Sequence, residues 1–365
     1  MERVWWKQIT RANHFIEQVT DAALAEKSMI LSLPESVPWY DTMVMLIDDI
    51  LREKNHSDKR LEIIECPGEE AGKYLLEHYC KKEKRHQYRL GRSLAEFLAQ
   101  SDDIVLNNTF LWIRDVNAKK CEEWVKFIAE YNQKMLPGRS PAVFILEVHD
   151  DSLCQKAKKG MKKFSFDQNI TAYDKFAFCT LAATETDCKE YLRPYLAELI
   201  SNICREDIEL CAACVKRGSA FLKNPQETMQ TILDTEVRSN GMEFQDTIEA
   251  DEIQNRIWES QTKLVFPVIE KYRNYFIKKY QKMIQAALPV RNSFGEIIDK
   301  AEDVEIGTLV FMVGSGRLTL TSTAVYEELV MFRDARNTLA HLDVLPLEVV
   351  ERILKWKGTE NYLSK

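Results

Sequence analysis

The stretch Ala142-Val-Phe-Ile-Leu-Glu-Val148 follows the turn Pro137-Gly138 and is apolar almost throughout. A run this short and this continuous, bounded by breakers, reads as a strand buried on both faces. Four more runs share the pattern. They are Ser28–Leu33 (SMILSL), ending at Pro34; Arg60–Cys66 (RLEIIEC), ending at Pro67; TFLWIRDV within Ile104–Val116; and Phe176–Leu181 (FAFCTL). Amphipathic stretches at Tyr40–Glu53, Glu70–Lys81 and Ala118–Lys134 lie between them. Strands alternating with helices predict an α/β domain with a parallel five-stranded, doubly wound sheet.

Beyond about residue 185 the strand pattern stops. Lys189–Asn202, Asp207–Arg217 and Pro225–Thr235 read as helices, and Val237–Thr247, with Ser239-Asn240-Gly241, reads as a boundary. Ile253–Ala287, Tyr326–Leu342 and Leu347–Lys357 carry long helical periodicity, while Gly307–Ser322 reads as β-leaning or irregular. The expected domains are 1–185 (α/β), 186–240 (a helical, lid-like segment) and 248–365 (all-α).

The bulk properties agree with two or three soluble domains. The chain has 365 residues, 45% hydrophobic and 29% charged, which excludes a disordered chain or a rod. A net charge of −7 excludes a uniformly basic nucleic-acid packager but leaves room for local basic patches. No apolar stretch reaches the roughly 18 residues of a membrane helix, and Met-Glu-Arg-Val-Trp-Trp-Lys7 has no signal-peptide core. The expectation is a cytoplasmic protein without a membrane partner, with reduced, scattered cysteines. Cys211-Ala-Ala-Cys214 is a lone pair inside a helical pattern and reads as two buried thiols, since a zinc site needs four ligands. Gly314-Ser-Gly-Arg317 reads as a turn. The basic runs Lys81–His86 and Lys156–Lys163 read as solvated surface or phosphate contacts.

The strand–helix rhythm resembles the core of P-loop NTPases, and Asp207–Leu222 (DIELCAACVKRGSAFL) followed by Asn224-Pro225 resembles the helical lid of AAA+ and STAND ATPases. The resemblance spans residues 1–235 and implies a phosphate-binding loop after the first strand. Such a loop needs Gly for close backbone approach and Lys for charge. Leu33–Thr42 has neither; it carries Glu35 and Asp41, and Pro34 and Pro38 remove amide donors. Asp115 stands where the resemblance places a magnesium-holding carboxylate, with Arg114 beside it. A degenerate member without ATP hydrolysis is expected, with no cofactor and no metal.

Near the C-terminus, Arg333-Asp-Ala-Arg336-Asn337-Thr-Leu-Ala-His341 closes a helical pattern. Arg, a polar residue, three more positions and then His is similar to the signature of HEPN domains, over residues 250–360. That resemblance implies a helical bundle, RNA as partner, metal-independent cleavage in a defence or toxin setting, and a homodimer that brings two motifs together. Arg336, Asn337 and His341 are the implied catalytic residues. The chemistry suits them: His handles protons near neutral pH, and Arg stays charged against a phosphate. Lys271, Arg273, Lys278, Lys279 and Lys282 are the candidate RNA-binding residues, interleaved with Tyr272, Tyr275, Phe276 and Tyr280. A structural alternative has His341 capping its helix and Arg336 paired with Asp334 or Glu328. The corresponding alternative function is a non-enzymatic scaffold whose partner is another protein.

Overall fold

The computed structural model describes residues 1–55, 58–89, 91–102, 104–149, 161–166, 171–205, 207–244, 249–291, 295 and 297–356. The chain opens with α1 (Glu2–Gln8) and α2 (Thr10–Leu24), then β1 (Met29–Ser32), α3 (Tyr40–Lys54), β2 (Arg60–Glu65), α4 (Ala71–Tyr79), α5 (Lys82–Arg85), α6 (Leu94–Gln100), β3 (Thr109–Arg114), α7 (Ala118–Lys134), β4 (Val143–Val148) and β5 (Lys162–Ser165). The five strands are parallel in the order β2-β3-β4-β1-β5. β1, β3 and β4, in the middle, are buried along nearly their whole length, which is why they read as unbroken apolar runs. β2 lies at an edge and is half exposed, with Glu62 and Glu65 in solvent.

The core on one side of the sheet is aromatic. Trp124, Tyr131 and Phe127 from α7 pack on Phe144 of β4 with ring centroids 5.6–6.2 Å apart. Elsewhere in the same unit, Phe166 takes Trp6 and Phe15 at 5.3 and 5.2 Å. Burying such rings removes most apolar area per residue, at about 25 cal/mol per Å2.

One strand is not where the apolar pattern put it. Phe176–Leu181 belongs to helix α8 (Ala172–Ala183), and the fifth strand is the basic Lys162–Ser165 instead. Thr171 and Asp174 settle the helix. Thr171 Oγ1 accepts from the Asp174 amide at 3.1 Å, and the Asp174 carboxylate accepts from the Thr171 amide at 3.0 Å. This reciprocal cap starts a helix whatever the apolarity that follows. β5 is an edge strand beside β1, so its solvent-facing positions take Lys. Residues 156–160 of the basic run, and Cys154, lie outside the described residues.

The rest of the chain is helical: α9 (Arg193–Ile203), α10 (Ile208–Lys216), α11 (Ser219–Lys223), α12 (Pro225–Thr235) and the 37-residue α13 (Ala250–Ala286), kinked at Tyr280. A two-stranded ribbon, β6 (Val290–Arg291) and β7 (Ile297–Ile298), precedes α14 (Ile306–Gly314), α15 (Thr323–Ala340) and α16 (Leu347–Leu354). α14 corrects the β-leaning expectation for Gly307–Ser322: Ile306, Leu309, Val310 and Met312 are buried at helical spacing, so packing overrides the β-branched composition. Packing divides the chain into two units. One is Met1–Asp174 with Ser239–Met242; the other is Lys175–Arg238 with Glu243–Lys365. Among the described residues no helix is long and apolar enough to cross a membrane.

Candidate functional site

In the first unit, β1, β3 and β4 end along one edge of the sheet, where ligands of open α/β sheets bind. A cavity of about 650 Å3 opens there. β3 runs out into Arg114 and Asp115, β4 supplies Glu147 and then His149, and the segment after β1 supplies Pro34 to Thr42. Ser239 and Asn240 complete the lining.

Glu147 is the organising group. It is 1% exposed, yet it sits in the central strand among Ile145, Leu146 and Val148. A buried carboxylate needs donors. Its Oε2 takes two, from the Tyr40 hydroxyl at 2.6 Å and from Trp112 Nε1 at 2.7 Å. Burial lifts its pKa above the usual carboxylate range; the Tyr40 and Trp112 bonds and the charges of His149 and Arg114 pull it back. Burial, with Glu147 behind it, pushes the Tyr40 hydroxyl strongly upward, so it stays a donor. Arg114 lies over the Tyr40 ring, 4.9 Å from its centre. Asp115 has φ 52°, the left-handed region that a non-glycine residue enters at a cost. That conformation lets the chain leave β3 with the carboxylate at the cavity, where it meets His149 Nε2 at 2.9 Å.

The loop that sequence reasoning found unfit for phosphate is used otherwise. Thr42 opens α3 and donates its hydroxyl to the Glu2 carboxylate, and Trp6 Nε1 caps the Pro38 carbonyl at 3.0 Å. Asp115 was visible in the sequence as a candidate carboxylate, whereas Glu147 and His149 were not; the one available signal was an acid inside an otherwise apolar strand.

The second unit holds the thiols and the Arg–His motif. Cys211 and Cys214 lie buried on α10, as expected for two thiols on a helix, and the fold adds Cys204 from the end of α9 and Cys179 from α8. Cys204 Sγ donates to Cys214 Sγ at 3.6 Å. Burial pushes the Cys179 and Cys204 thiols well up, which keeps them as inert small hydrophobes. Cys121, in the first unit, departs from the expectation of reduced thiols: it is disulfide-bonded.

Arg336, Asn337 and His341 lie on the last turn of α15 and just past it. Asn337 and His341 are exposed and Arg336 half-buried. The opposite face of α15 buries Leu329, Phe332, Ala335 and Leu339. The helix ends in a paired turn: Asp343 N donates to Thr338 O at 3.1 Å and Leu342 N to Leu339 O at 3.2 Å, with Leu342 at φ 64°. Trp258 Nε1 holds the Leu339 carbonyl at 2.8 Å, and the buried Gln261 side chain binds both the amide and the carbonyl of Leu345, at 2.7 and 3.0 Å. So α13 fixes the turn that carries His341. The Arg336 guanidinium reaches the Asn337 amide oxygen at 3.5 Å. Neither Arg336 nor His341 is in an ion pair among the described residues, because Arg333 takes Asp334 instead.

The basic helix α13 is less open than its sequence suggested. Tyr272, Phe276 and Tyr280 are buried, with Tyr272 stacked flat on Phe332 at 3.8 Å. They are core, not a stacking platform. Arg273 donates to the carbonyls of Glu302 and Val304 at 3.2 and 3.1 Å and pairs with Glu270, a structural role. Lys279 lies over the rings of Tyr275 and Tyr280. Lys271, Lys278 and Lys282 remain as exposed cations.

No protein-family model and no curated protein matches the chain. Among solved structures it is similar to the crystal structure of Cdc6p from Pyrobaculum aerophilum, at 12% identity and a TM-score of 0.33, over 95% of this chain and 94% of that one. So distant a likeness says nothing of what this chain binds. The parallel sheet, with β1 set between β4 and β5 and flanked by helices, is an α/β fold, and the region after it is all-α apart from the short β6–β7 ribbon.

Proposed function

We propose that the second unit acts on RNA through Arg336, Asn337 and His341, as a HEPN-like protein, and that the first unit senses or assembles rather than hydrolysing ATP. One observation carries this reading: Arg336 and His341 lie at one pinned helix end, and neither is in an ion pair among the described residues.

The chemistry is metal-independent transesterification. The 2′-oxygen bonds to phosphorus as the bond to the 5′-oxygen breaks. The imidazole of His341 takes the 2′-hydroxyl proton, and a proton passes to the leaving 5′-oxygen. Arg336 holds the charge that develops on the phosphoryl oxygens. A second copy, docked through the same helical region, supplies the facing motif. Lys271, Lys278 and Lys282 contribute sequence-independent attraction for the RNA backbone.

Full-length protein incubated with a labelled single-stranded RNA and EDTA tests this. Cleavage that persists in EDTA and is lost in His341→Ala and Arg336→Ala, with both variants folded, supports it. No cleavage and no RNA binding by the intact protein overturns it. The second reading is an interaction scaffold, and one observation favours it: the aromatic residues of α13 and Arg273 are committed to packing rather than to a ligand.

A further inference from the structure

We propose that Asp115, Glu147 and His149 form a binding site for a divalent transition-metal cation of the zinc class, at the cavity end of the sheet. The site belongs to the first unit and does not rest on the RNA reading.

Among the described residues, these three are the one group whose donor atoms all lie within 4.8 Å of one another. His149 Nε2 is 2.9 Å from Asp115 Oδ1 and 3.5 Å from Glu147 Oε1. Donors bound at about 2.0–2.2 Å around a tetrahedral ion stand roughly 3.3 Å apart, so the present spacing needs little movement. Imidazole with two carboxylates suits zinc, manganese and iron; magnesium prefers oxygen and water alone.

Two further features point inward. Glu147 is a nearly fully buried side chain that lines the cavity; its Oε2 accepts both hydrogen bonds, while its Oε1 meets only His149 Nε2, at 3.5 Å. A carboxylate buried among apolar residues keeps a charge that a cation offsets. The orienting partners of a metal ligand are also in place. Tyr40 and Trp112 fix the carboxylate, and His149 Nδ1–H facing the Pro34 carbonyl at 3.4 Å leaves the Nε2 lone pair free to bind an ion between it and the carboxylates. The rest of the coordination sphere opens on the cavity, as in sites that keep a position for water or a ligand.

The test is titration of the full chain with MnCl2, followed by electron paramagnetic resonance, after stripping with chelator and desalting. Manganese is chosen because thiolates bind it poorly, so the buried cysteines do not compete. The expected result is one Mn2+ per chain, displaced by ZnCl2. His149→Ala and Asp115→Asn should each weaken binding by at least about tenfold, while Cys211→Ser leaves it unchanged. Circular dichroism confirms that the variants are folded, and either one alone suffices if the other is not. No binding up to millimolar Mn2+, or equal binding in wild type and both variants, overturns the proposal.

Discussion

Replacing Phe332 by alanine tests whether the aromatic residues of α13 are core or RNA platform. Phe332 is fully buried, and the Tyr272 ring lies on it at 3.8 Å, tilted by 1°. Trp356 meets both edge-on, at 5.3 Å from Tyr272 and 6.0 Å from Phe332. Truncating a buried Phe to Ala costs about 3–5 kcal/mol, part of it the ~0.5–1.5 kcal/mol that a ring pair adds beyond its area. At about 4 kcal/mol the folded-to-unfolded ratio of the second unit drops roughly a thousandfold, against a typical domain total of about 5–15 kcal/mol. Tyr272→Ala should cost about as much. Arg336→Ala and His341→Ala should stay within about 0.5 kcal/mol, since His341 is exposed and the one side-chain bond of Arg336, to the exposed Asn337, is long at 3.5 Å. Urea unfolding is the assay, read by the fluorescence of Trp258 and Trp356 in a background with the tryptophans of the first unit replaced by Phe. Anisotropy of a labelled RNA is measured on the same proteins. A Tyr272→Ala variant of unchanged stability that no longer binds RNA would refute the packing argument and restore the stacking one.

Other consequences are simpler to check. A Cβ at Gly72 on α4 would lie 2.7 Å from Leu94 Cβ, so Gly72→Ala should lower thermal stability by about 1–3 kcal/mol despite its better helix propensity. Leu342 holds φ 64° and is 67% exposed, so Leu342→Gly should raise stability by about 0.5–1 kcal/mol in the same melt. Asp207 is pushed up to about 6 from 3.8 by burial, against the Leu210 amide and Arg238. Its folded state therefore holds the proton more tightly than the unfolded state. Relative to Asp207→Asn, the wild type should gain on the order of 2–3 kcal/mol as pH falls from 6 towards 4 and lose it as pH rises again, measured by denaturant titration at each pH.

Four of the five strands could be read from sequence: β1, β3 and β4 in the middle of the sheet, and β2 at one edge, where Leu61, Ile63 and Ile64 keep an apolar run. β1, β3 and β4 are buried on both sides, so burial writes itself as an apolar run. β5 could not be read that way, because an edge strand needs only to hydrogen-bond to β1, and Lys162 and Lys163 do so as well as Val would. FAFCTL misled because a short apolar run has no period; the Thr171–Asp174 cap carried the information and sits outside the run. The Arg336–His341 motif was legible because its residues lie within two helical turns. The grouping of Asp115 with Glu147 and His149 was not, since strand pairing rather than spacing brings them together. The same holds for Cys179 and Cys204, which join the Cys211–Cys214 pair only through helix packing.

The unfitness of Leu33–Thr42 for phosphate and the proposed cation site follow from one distribution of charge. The cavity is lined by Glu2, Glu35, Asp41, Asp115 and Glu147, against Arg114 and His149. A triphosphate needs converging N–H donors and positive charge. Pro34 and Pro38 offer no N–H, the Thr42 hydroxyl is already donated to Glu2, and Arg114 is held over the Tyr40 ring and beside Glu65 at 3.6 Å. The field that repels phosphate raises the local concentration of cations, and the partly enclosed wall strengthens both effects. Calorimetric titration with Mg-ATP should therefore give no binding heat at micromolar nucleotide, while Mn2+ alone binds. Replacing Glu35 and Asp41 by Asn and Ser should not create ATP affinity, because charge removal supplies no donors. Micromolar ATP binding in the wild type, abolished by Thr42→Ala or Asp41→Ala, would show that the loop cradles phosphate after all and that the charge argument fails.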